Sequence, residues 1–167
     1  PTKDTWTTGT TSPVSFADAF AVVANDRIMV IGGTQNSSKN ADEPTQTITT
    51  LQIFTPSNGN NAKQTWSEPL SVFESKKILA VQSIGDSIVV FSVLEDEQLL
   101  ISYYSIHNET WMHNIESSQT RILNHAATAS QAGAVYFIGG LEPAGAFSSN
   151  FARYQAIFTI MLPAINN

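Results

Sequence analysis

This 167-residue sequence predicts an all-β fold, and two kinds of observation support the prediction. Short runs rich in Val, Ile, Phe, Tyr and Thr recur between polar clusters such as Asn36-Ser37-Ser38, while helical periodicity is hard to find. An apolar strand also recurs three times, and two of its copies end in a glycine pair. The copies are Ile28–Gly33, Ile88–Val93 and Val135–Gly140, and Ser92-Val93 replaces the glycine pair in the second. The sequence therefore indicates an internal β repeat.

A tryptophan precedes each copy at a nearly constant distance. Trp6 lies 26 residues before Gly32, Trp66 lies 26 before Ser92, and Trp111 lies 28 before Gly139. This phase predicts a unit of four strands, labelled A to D, with the tryptophan in D. A lone D strand at residues 4–8 precedes the first whole unit, and the third unit ends before its own D strand. The strand order along the chain is therefore D, ABCD, ABCD, ABC.

The predicted strands of the first unit are Ala19–Ala24, Ile28–Ile31, Ile48–Phe54 and the segment around Trp66, with a tight turn at 25–26 and a long polar loop at 34–47. Those of the second are Ile78–Ser83, Ile88–Val93, Leu99–Ile106 and the segment around Trp111, with a turn at 85–86 and a short loop at 95–98. Those of the third are Ile122–Ala129, Val135–Ile138 and Ala156–Leu162, with a turn at 132–133. The chain is thus expected to be one domain, divided into an orphan strand (1–10) and units at 11–69, 70–115 and 116–167.

The repeat resembles the kelch repeat of β-propellers, the family of the central domain of galactose oxidase. Arg121 and His125 before Gly139-Gly140 are similar to the arginine-histidine opening of the family's strand A, and Phe54-Thr55-Pro56 before Trp66 is similar to its tyrosine-aspartate-proline turn. Tyr104-Ser105-Ile106 before Trp111 gives a second such match. The tryptophan spacings of 60 and 45 residues bracket the roughly 50 residues of a kelch blade. The structural residues that the resemblance implies are Trp6, Gly32, Gly33, Trp66, Trp111, His125, Gly139 and Gly140.

The resemblance implies about three blades of four antiparallel strands, or half of a six- or seven-bladed propeller. The third unit has no recognisable tyrosine-proline turn, and Ser92-Val93 departs from the glycine pair. Propellers have about four to eight blades, so three cannot close a ring. Two copies could join with twofold symmetry, each lending its Trp6 strand to the other. The chain could instead be part of a longer propeller protein, which is favoured because a half-ring alone would expose two broad apolar faces.

Composition excludes several classes of function. The net charge of −6, the pI of about 4.8 and the presence of only eight Lys and Arg argue against a nucleic-acid-binding protein. The absence of cysteine excludes disulfides, thiol nucleophiles and Cys-ligated zinc, and also the cysteine-linked copper site of galactose oxidase. No apolar run approaches the roughly 20 residues of a membrane helix. The compartment stays open between the cell surface or exterior and the cytoplasm.

Neither a catalytic residue nor a cofactor or metal site is predicted. His107 and His113 flank Trp111, with Glu109 as a third candidate ligand, but their turn and strand positions favour exposure or packing over metal binding. There is no Gly-x-Ser-x-Gly elbow and no phosphate-binding loop. Two Asn-x-Ser/Thr sequences, at Asn36 and Asn108, are candidate N-glycosylation sites on predicted loops.

The remaining signal is the acidity of the loops. In the kelch resemblance, the B–C and D–A loops emerge on one face, which commonly binds a partner. The candidate partner-binding residues there are Asp42, Glu43, Glu95, Asp96, Glu97, Arg121 and Glu142, accompanied by Glu68, Glu74 and Glu116 and opposed by Lys39, Lys76 and Lys77. This balance predicts a protein partner with a basic or polar segment. The alternative interpretation is that the carboxylates only keep the loops soluble.

These observations predict a non-catalytic protein-interaction module. The alternative is a fragment of a carbohydrate-active propeller enzyme whose catalytic residues lie outside this chain. A third hypothesis, a substrate-recruiting adaptor of the intracellular kelch kind, would need a partner domain that this sequence does not contain.

Overall fold

The computed structural model describes residues 8–36, 45–57, 63–71, 75, 77–96, 98–116, 127–141 and 145–155. Within these ranges the regular structure consists of strands, and every strand pair is antiparallel. The all-β prediction is therefore confirmed. The chain divides into two compact units, Pro1–Gln119 and Thr120–Asn167. Separate antiparallel sheets of this kind are compatible with the blades of a β-propeller.

The described strands of the first compact unit, Pro1–Gln119, belong to the first two predicted repeats. They are β1 (Phe20–Ala24), β2 (Arg27–Ile31), β3 (Thr34–Asn36), β4 (Thr45–Thr47), β5 (Thr50–Thr55), β6 (Thr65–Trp66), β7 (Leu70–Ser71), β8 (Lys77–Ile84), β9 (Ser87–Val93), β10 (Leu99–Ser105) and β11 (Thr110–Glu116). Sheet 1 has the order β1-β2-β5-β6, with β7 also paired to β5. Sheet 2 has the order β11-β10-β9-β8. Each follows the predicted A-to-D order, in which successive strands lie side by side.

A two-residue turn at Asn25-Asp26 connects β1 and β2. Asn25 and Asp26 have φ angles of 48° and 56°, the left-handed conformation that a two-residue type I′ turn requires at both positions. Asn and Asp tolerate this conformation better than most residues with a side chain. The predicted turn at 25–26 is confirmed, and it sets the register that pairs Ala24 with Arg27.

The predicted long polar loop at 34–47 is partly wrong, because its two ends form a hairpin. Strands β3 and β4 pair with Thr34 opposite Thr47 and Asn36 opposite Thr45. β-branched threonines favour extended backbone, so a polar composition did not prevent pairing. Asn36 consequently lies in a strand. Residues 37–44, between the two strands, are outside the described residues.

The glycine pair of sheet 1 turns the chain out of the sheet after β2. Gly32 and Gly33 have φ angles of 71° and 104°, which a residue with a Cβ rarely adopts. The turn lets Thr34 pair with Ala17, whose carbonyl oxygen accepts a hydrogen bond from Thr34 N–H at 2.7 Å. A Cβ on Gly33 would lie 2.6 Å from that same oxygen. Both the conformation and the close approach therefore require glycine at this position.

Sheet 2 shows what happens where the glycine pair is absent. Ser92 and Val93 stay within β9 and pair with Leu100 and Leu99 of β10, so the strand continues without a turn out of the sheet. Both residues are buried, and Ser92 Oγ–H donates to the Leu100 carbonyl at 3.4 Å. The loop that follows is short, closed by a hydrogen bond from Leu94 N–H to the Gln98 carbonyl. The substituted pair therefore gives a more regular strand.

Sheets 1 and 2 share one hydrophobic core. Met29, Ile31 and Leu51 of sheet 1 and Ile88 and Val90 of sheet 2 belong to one cluster of buried side chains, to which Trp111 adds a half-buried ring. On each strand the cluster members alternate with residues that point to the other face, as the period of a β-strand requires. The two sheets are thus held together by apolar side chains on their facing surfaces.

The second compact unit, Thr120–Asn167, corresponds to the third predicted repeat and contains sheet 3, with the order β12-β13-β14. Its strands are β12 (Ala127–Gln131), β13 (Ala134–Leu141) and β14 (Phe147–Gln155). The predicted third strand at Ala156–Leu162 is wrong as the neighbour of β13, because that position is occupied by β14. Residues 156–162 are outside the described residues. In β13 a register shift between Ile138 and Gly140 marks the glycine pair, and both glycines have positive φ.

One register is common to all three sheets. In each sheet, the second residue of the second strand (β2, β9 or β13) lies opposite an aromatic residue near the end of the third strand (β5, β10 or β14). The pairs are Ile28 with Phe54, Ile88 with Tyr104, and Val135 with Tyr154. Phe54 and Tyr104 in turn lie opposite Trp66 and Trp111, with ring centroids 5.0 Å apart in both pairs. Tyr154 therefore occupies the aromatic position that the sequence prediction did not find in the third unit.

We expect Gly33→Ala to lower the free energy of unfolding by about 3 kcal/mol, because it adds backbone strain to a collision with the Ala17 carbonyl. Gly85→Ala is the matched control, since Gly85 has a φ of 55° and open space where the new methyl group would lie. Its expected loss is about 1 kcal/mol. Urea unfolding of both variants measures the difference. Equal losses would show that the close approach at Gly33 contributes nothing.

Candidate functional site

An acidic pocket lies where the second strands of sheets 1 and 2 end and the third strands begin. Its volume is about 500 Å³, within the range of ligand-binding clefts. Among the residues that the structure describes, its lining consists of Thr47, Thr49, Ser75, Leu94, Glu95 and Asp96. The structure therefore brings the predicted partner-binding residues Glu95 and Asp96 to a concave surface.

The backbone positions these side chains in two ways. Thr47 ends β4, and Thr49 lies in the short link that leads from it into β5. Glu95 and Asp96 form the turn after β9, which is held by the hydrogen bond between Leu94 and Gln98 and by one from Gln98 N–H to Asp96 Oδ1 at 3.3 Å. Both carboxylate residues are exposed, so their charges face solvent at the mouth of the pocket.

Ser75 gives the pocket an unsatisfied polar atom. Its Oγ is buried and has no hydrogen-bond partner within the part of the chain that the structure describes. A buried hydroxyl without a partner costs free energy, and a bound polar group could supply the missing hydrogen bond. With the hydroxyls of Thr47 and Thr49, the pocket offers hydrogen-bonding groups beside two negative charges. This chemistry suits a positively charged, hydrogen-bonding ligand group.

An aromatic pocket of about 360 Å³ lies at the opposite end of the two sheets, where the third strands end and the fourth begin. Its lining residues include Arg27, Trp66, Glu68, Tyr104 and Glu109. Arg27, Glu68 and Glu109 all line this pocket, so it has no single sign of charge. Glu109 adopts a φ of 54°, which fixes the turn that carries it.

Tyr104, in the aromatic pocket, has a shifted pKa that bears on stability. Burial raises the pKa of its phenol, the nearby Glu109 carboxylate raises it further, and Arg27 acts in the opposite direction. The ring is almost fully buried against Trp111. Tyr104 therefore stays neutral in the folded protein to a higher pH than it would in the unfolded chain.

The two histidines near Trp111 are placed differently. His107 is exposed in the turn between β10 and β11. His113 lies in β11, where its ring stacks on Trp111 at a centroid distance of 6.1 Å and its Nδ1 hydrogen-bonds with Ser102 Oγ at 2.8 Å. His113 thus has the strand-packing role that the sequence favoured. Within the described ranges, no group of three or more His, Asp or Glu side chains is placed to hold a metal ion.

The other predicted positions fall into two groups. Asn108 lies in an exposed turn, as expected for a candidate glycosylation site, whereas Asn36 lies in β3 rather than in a loop. The remaining predicted site and repeat residues are outside the described residues: Trp6, Asp42, Glu43, Glu97, Arg121, His125 and Glu142. Sequence reasoning did not find Thr47, Thr49 or Ser75. Nothing in the sequence except their position near predicted strand ends indicated that they line a pocket. The pocket is assembled from three separate segments, and their proximity exists only in the folded chain.

Comparisons with known proteins give no family for this chain. No protein-family model matches it, and no curated protein is similar to it in sequence. In the described part of the chain, no helix has the length and apolar character needed to span a membrane.

The raised pKa of Tyr104 predicts a loss of stability in alkali. The unfolded chain releases the phenol proton near pH 10, before the folded protein does, so the free energy of unfolding falls as pH rises from the unfolded to the folded pKa. We expect Tyr104→Phe to flatten part of this fall, measured by urea unfolding between about pH 8 and 11. Tyr103→Phe, on the same strand, is the control. An unchanged pH dependence in Tyr104→Phe would contradict the assignment.

Proposed function

We propose that this chain is a non-catalytic protein-interaction module, built of kelch-type propeller blades, that binds a basic segment of a partner protein in the acidic pocket. The observation that carries the proposal is the convergence of Glu95 and Asp96 with three hydroxyl side chains around one cavity. Lysine and arginine donate several hydrogen bonds and carry positive charge, so they match both features of this pocket.

The common register supports the part of the proposal that concerns blades. Three sheets place an aromatic residue at the same point of their third strands, and two of them place a tryptophan opposite it. Sheets 1 and 2 also stack face to face through apolar side chains, as neighbouring blades do. A repeated unit with a repeated packing surface is what a propeller requires.

The location of the acidic pocket supports the part that concerns binding. It lies at the end of the sheets where the β4–β5 link and the β9–β10 turn meet, and loops on a rigid scaffold are common binding sites. Lys77 is exposed at the start of β8, opposite Val93, so one positive charge lies at the same end of the sheets as Glu95 and Asp96. Exposed ion pairs contribute about 0.2–1 kcal/mol each, so binding should depend on several contacts and on salt.

We expect Glu95→Lys/Asp96→Lys to weaken binding of a fluorescein-labelled octalysine peptide by about tenfold or more at low salt, because attraction at the pocket becomes repulsion. Fluorescence anisotropy measures the affinity, and high salt should weaken binding to the wild type. The control is Glu68→Lys/Asp86→Lys, which changes the net charge equally at positions away from the acidic pocket.

Each outcome of this experiment is informative. Loss of binding in the Glu95/Asp96 variant with retention in the control supports the acidic pocket as the binding site. Equal loss in both variants would mean that net charge alone attracts the peptide. Unchanged binding in the Glu95/Asp96 variant, or no binding by the wild type, would also overturn the proposed site.

A further inference from the structure

The aromatic pocket adjoins the hydrophobic core that sheets 1 and 2 share. Ile53 and Tyr104 line the pocket, and both are buried members of the cluster that joins the two sheets. Leu70, which is 41% exposed, adds a third apolar side chain to the lining. An apolar group of a ligand that covered these side chains would remove hydrophobic surface from water.

Sheet 1 contributes a cation and hydroxyl groups to the pocket. Arg27 is two residues before the core residue Met29 on β2, so its side chain projects to the face of sheet 1 that packs against sheet 2. Thr55 is likewise two residues after Ile53 on β5, and it lies opposite Thr65 of β6. Arg27 is half-buried. One positive charge therefore lies beside two hydroxyl groups on this side of the pocket.

Two carboxylates complete the polar lining. Glu109 lies in the turn between β10 and β11 of sheet 2, and Glu68 lies in the link between β6 and β7 of sheet 1. The backbone before Glu68 is fixed to β5, because Ser67 N–H donates to the Ile53 carbonyl at 2.8 Å and Ser67 Oγ accepts from Ile53 N–H at 2.9 Å. Both glutamates are exposed, so their charges are accessible to a ligand.

The charges of Arg27 and Glu109 act on the same group in the pocket. Burial and the Glu109 carboxylate raise the pKa of the Tyr104 phenol, whereas Arg27 lowers it. Arg27 belongs to sheet 1, and Glu109 and Tyr104 belong to sheet 2. A ligand beside Tyr104 would therefore meet a cation from one sheet and an anion from the other.

We propose that the aromatic pocket binds a free amino acid with an apolar side chain. The carboxylate of the ligand contacts Arg27, and its ammonium group contacts Glu68 and Glu109. Its side chain covers Tyr104 and Leu70. This site is separate from the acidic pocket and goes beyond the proposed interaction with a basic protein segment.

The mixture of charges favours a zwitterion over other small ligands. A ligand of one charge would be attracted by Arg27 and repelled by the glutamates, or the reverse, and a neutral sugar would leave all three charges without a charged partner. The volume of about 360 Å³ is near the lower limit of ligand-binding pockets, so it suits one amino acid better than a longer peptide.

Titration calorimetry of the wild type tests both charged contacts. We expect L-leucine to bind at least tenfold more tightly than N-acetyl-L-leucine, which lacks the ammonium charge, and than L-leucinamide, which lacks the carboxylate. Each capped ligand loses a charge-assisted hydrogen bond. No binding of L-leucine, or equal affinities for the three ligands, would overturn the proposal. Binding of D-glucose in place of L-leucine would also overturn it, in favour of a sugar site.

Neutralising the cation tests which end of the ligand it contacts. Arg27→Gln should lose the preference for L-leucine over L-leucinamide and keep the preference over N-acetyl-L-leucine. Arg153→Gln, at an exposed position of β14, is the matched control with the same change in net charge, and it should keep both preferences. Equal effects of the two substitutions would overturn the assignment of Arg27.

Neutralising the two glutamates should have the opposite effect. Glu68→Gln/Glu109→Gln should lose the preference over N-acetyl-L-leucine and keep the preference over L-leucinamide. Glu95→Gln/Asp96→Asn is the matched control, because it changes the net charge equally in the acidic pocket. We expect this control to weaken octalysine binding and to leave L-leucine binding unchanged, so the two proposals can fail separately. Equal loss of L-leucine binding in both variants would overturn the site.

Discussion

The packing of sheet 1 against sheet 2 is the interaction on which the rest of the first unit depends. Met29 and Ile31 on one sheet, and Ile88 and Val90 on the other, remove enough apolar surface from water to keep two separate meanders together. The acidic and aromatic pockets lie at the two ends of these sheets. Their shapes therefore follow from the spacing of the sheets, and a change in the shared core would alter both pockets together.

The second strand of each sheet leads to the third in a different way: β2 to β5 in sheet 1, and β9 to β10 in sheet 2. After β2, the positive φ angles of Gly32 and Gly33 turn the chain away and let a second hairpin form. After β9, the buried pair Ser92-Val93 keeps the strand extended until a short turn. The β4–β5 link of sheet 1 carries Thr47 and Thr49, and the β9–β10 turn of sheet 2 carries Glu95 and Asp96. Both connections therefore contribute residues to the acidic pocket.

Local patterns were enough to predict most of the strands, but not the contacts between distant segments. Short runs rich in Val, Ile, Phe, Tyr and Thr, together with turn residues such as Asn25-Asp26, placed the first three strands of sheets 1 and 2 within two residues, because these signals act over a few positions. The third strand of sheet 3 was missed because Phe147–Gln155 is polar and largely exposed, while Ala156–Leu162 is more apolar. The fifty-residue spacing of Phe54, Tyr104 and Tyr154 was visible in the sequence and could have identified it. Ser75 could not have been found, since its role depends on three segments that meet only in the folded chain.

The short connections of sheet 2 have a consequence for the order of folding. Its four strands run from Lys77 to Glu116, and each pairs with the next along the chain, so its contacts are local in sequence. Sheet 1 must instead bring β5 back to β2 across the whole β3–β4 hairpin. Chains form local contacts faster, because less loop entropy is lost before the first favourable contact. We therefore expect sheet 2 to form first and to act as the surface on which sheet 1 condenses.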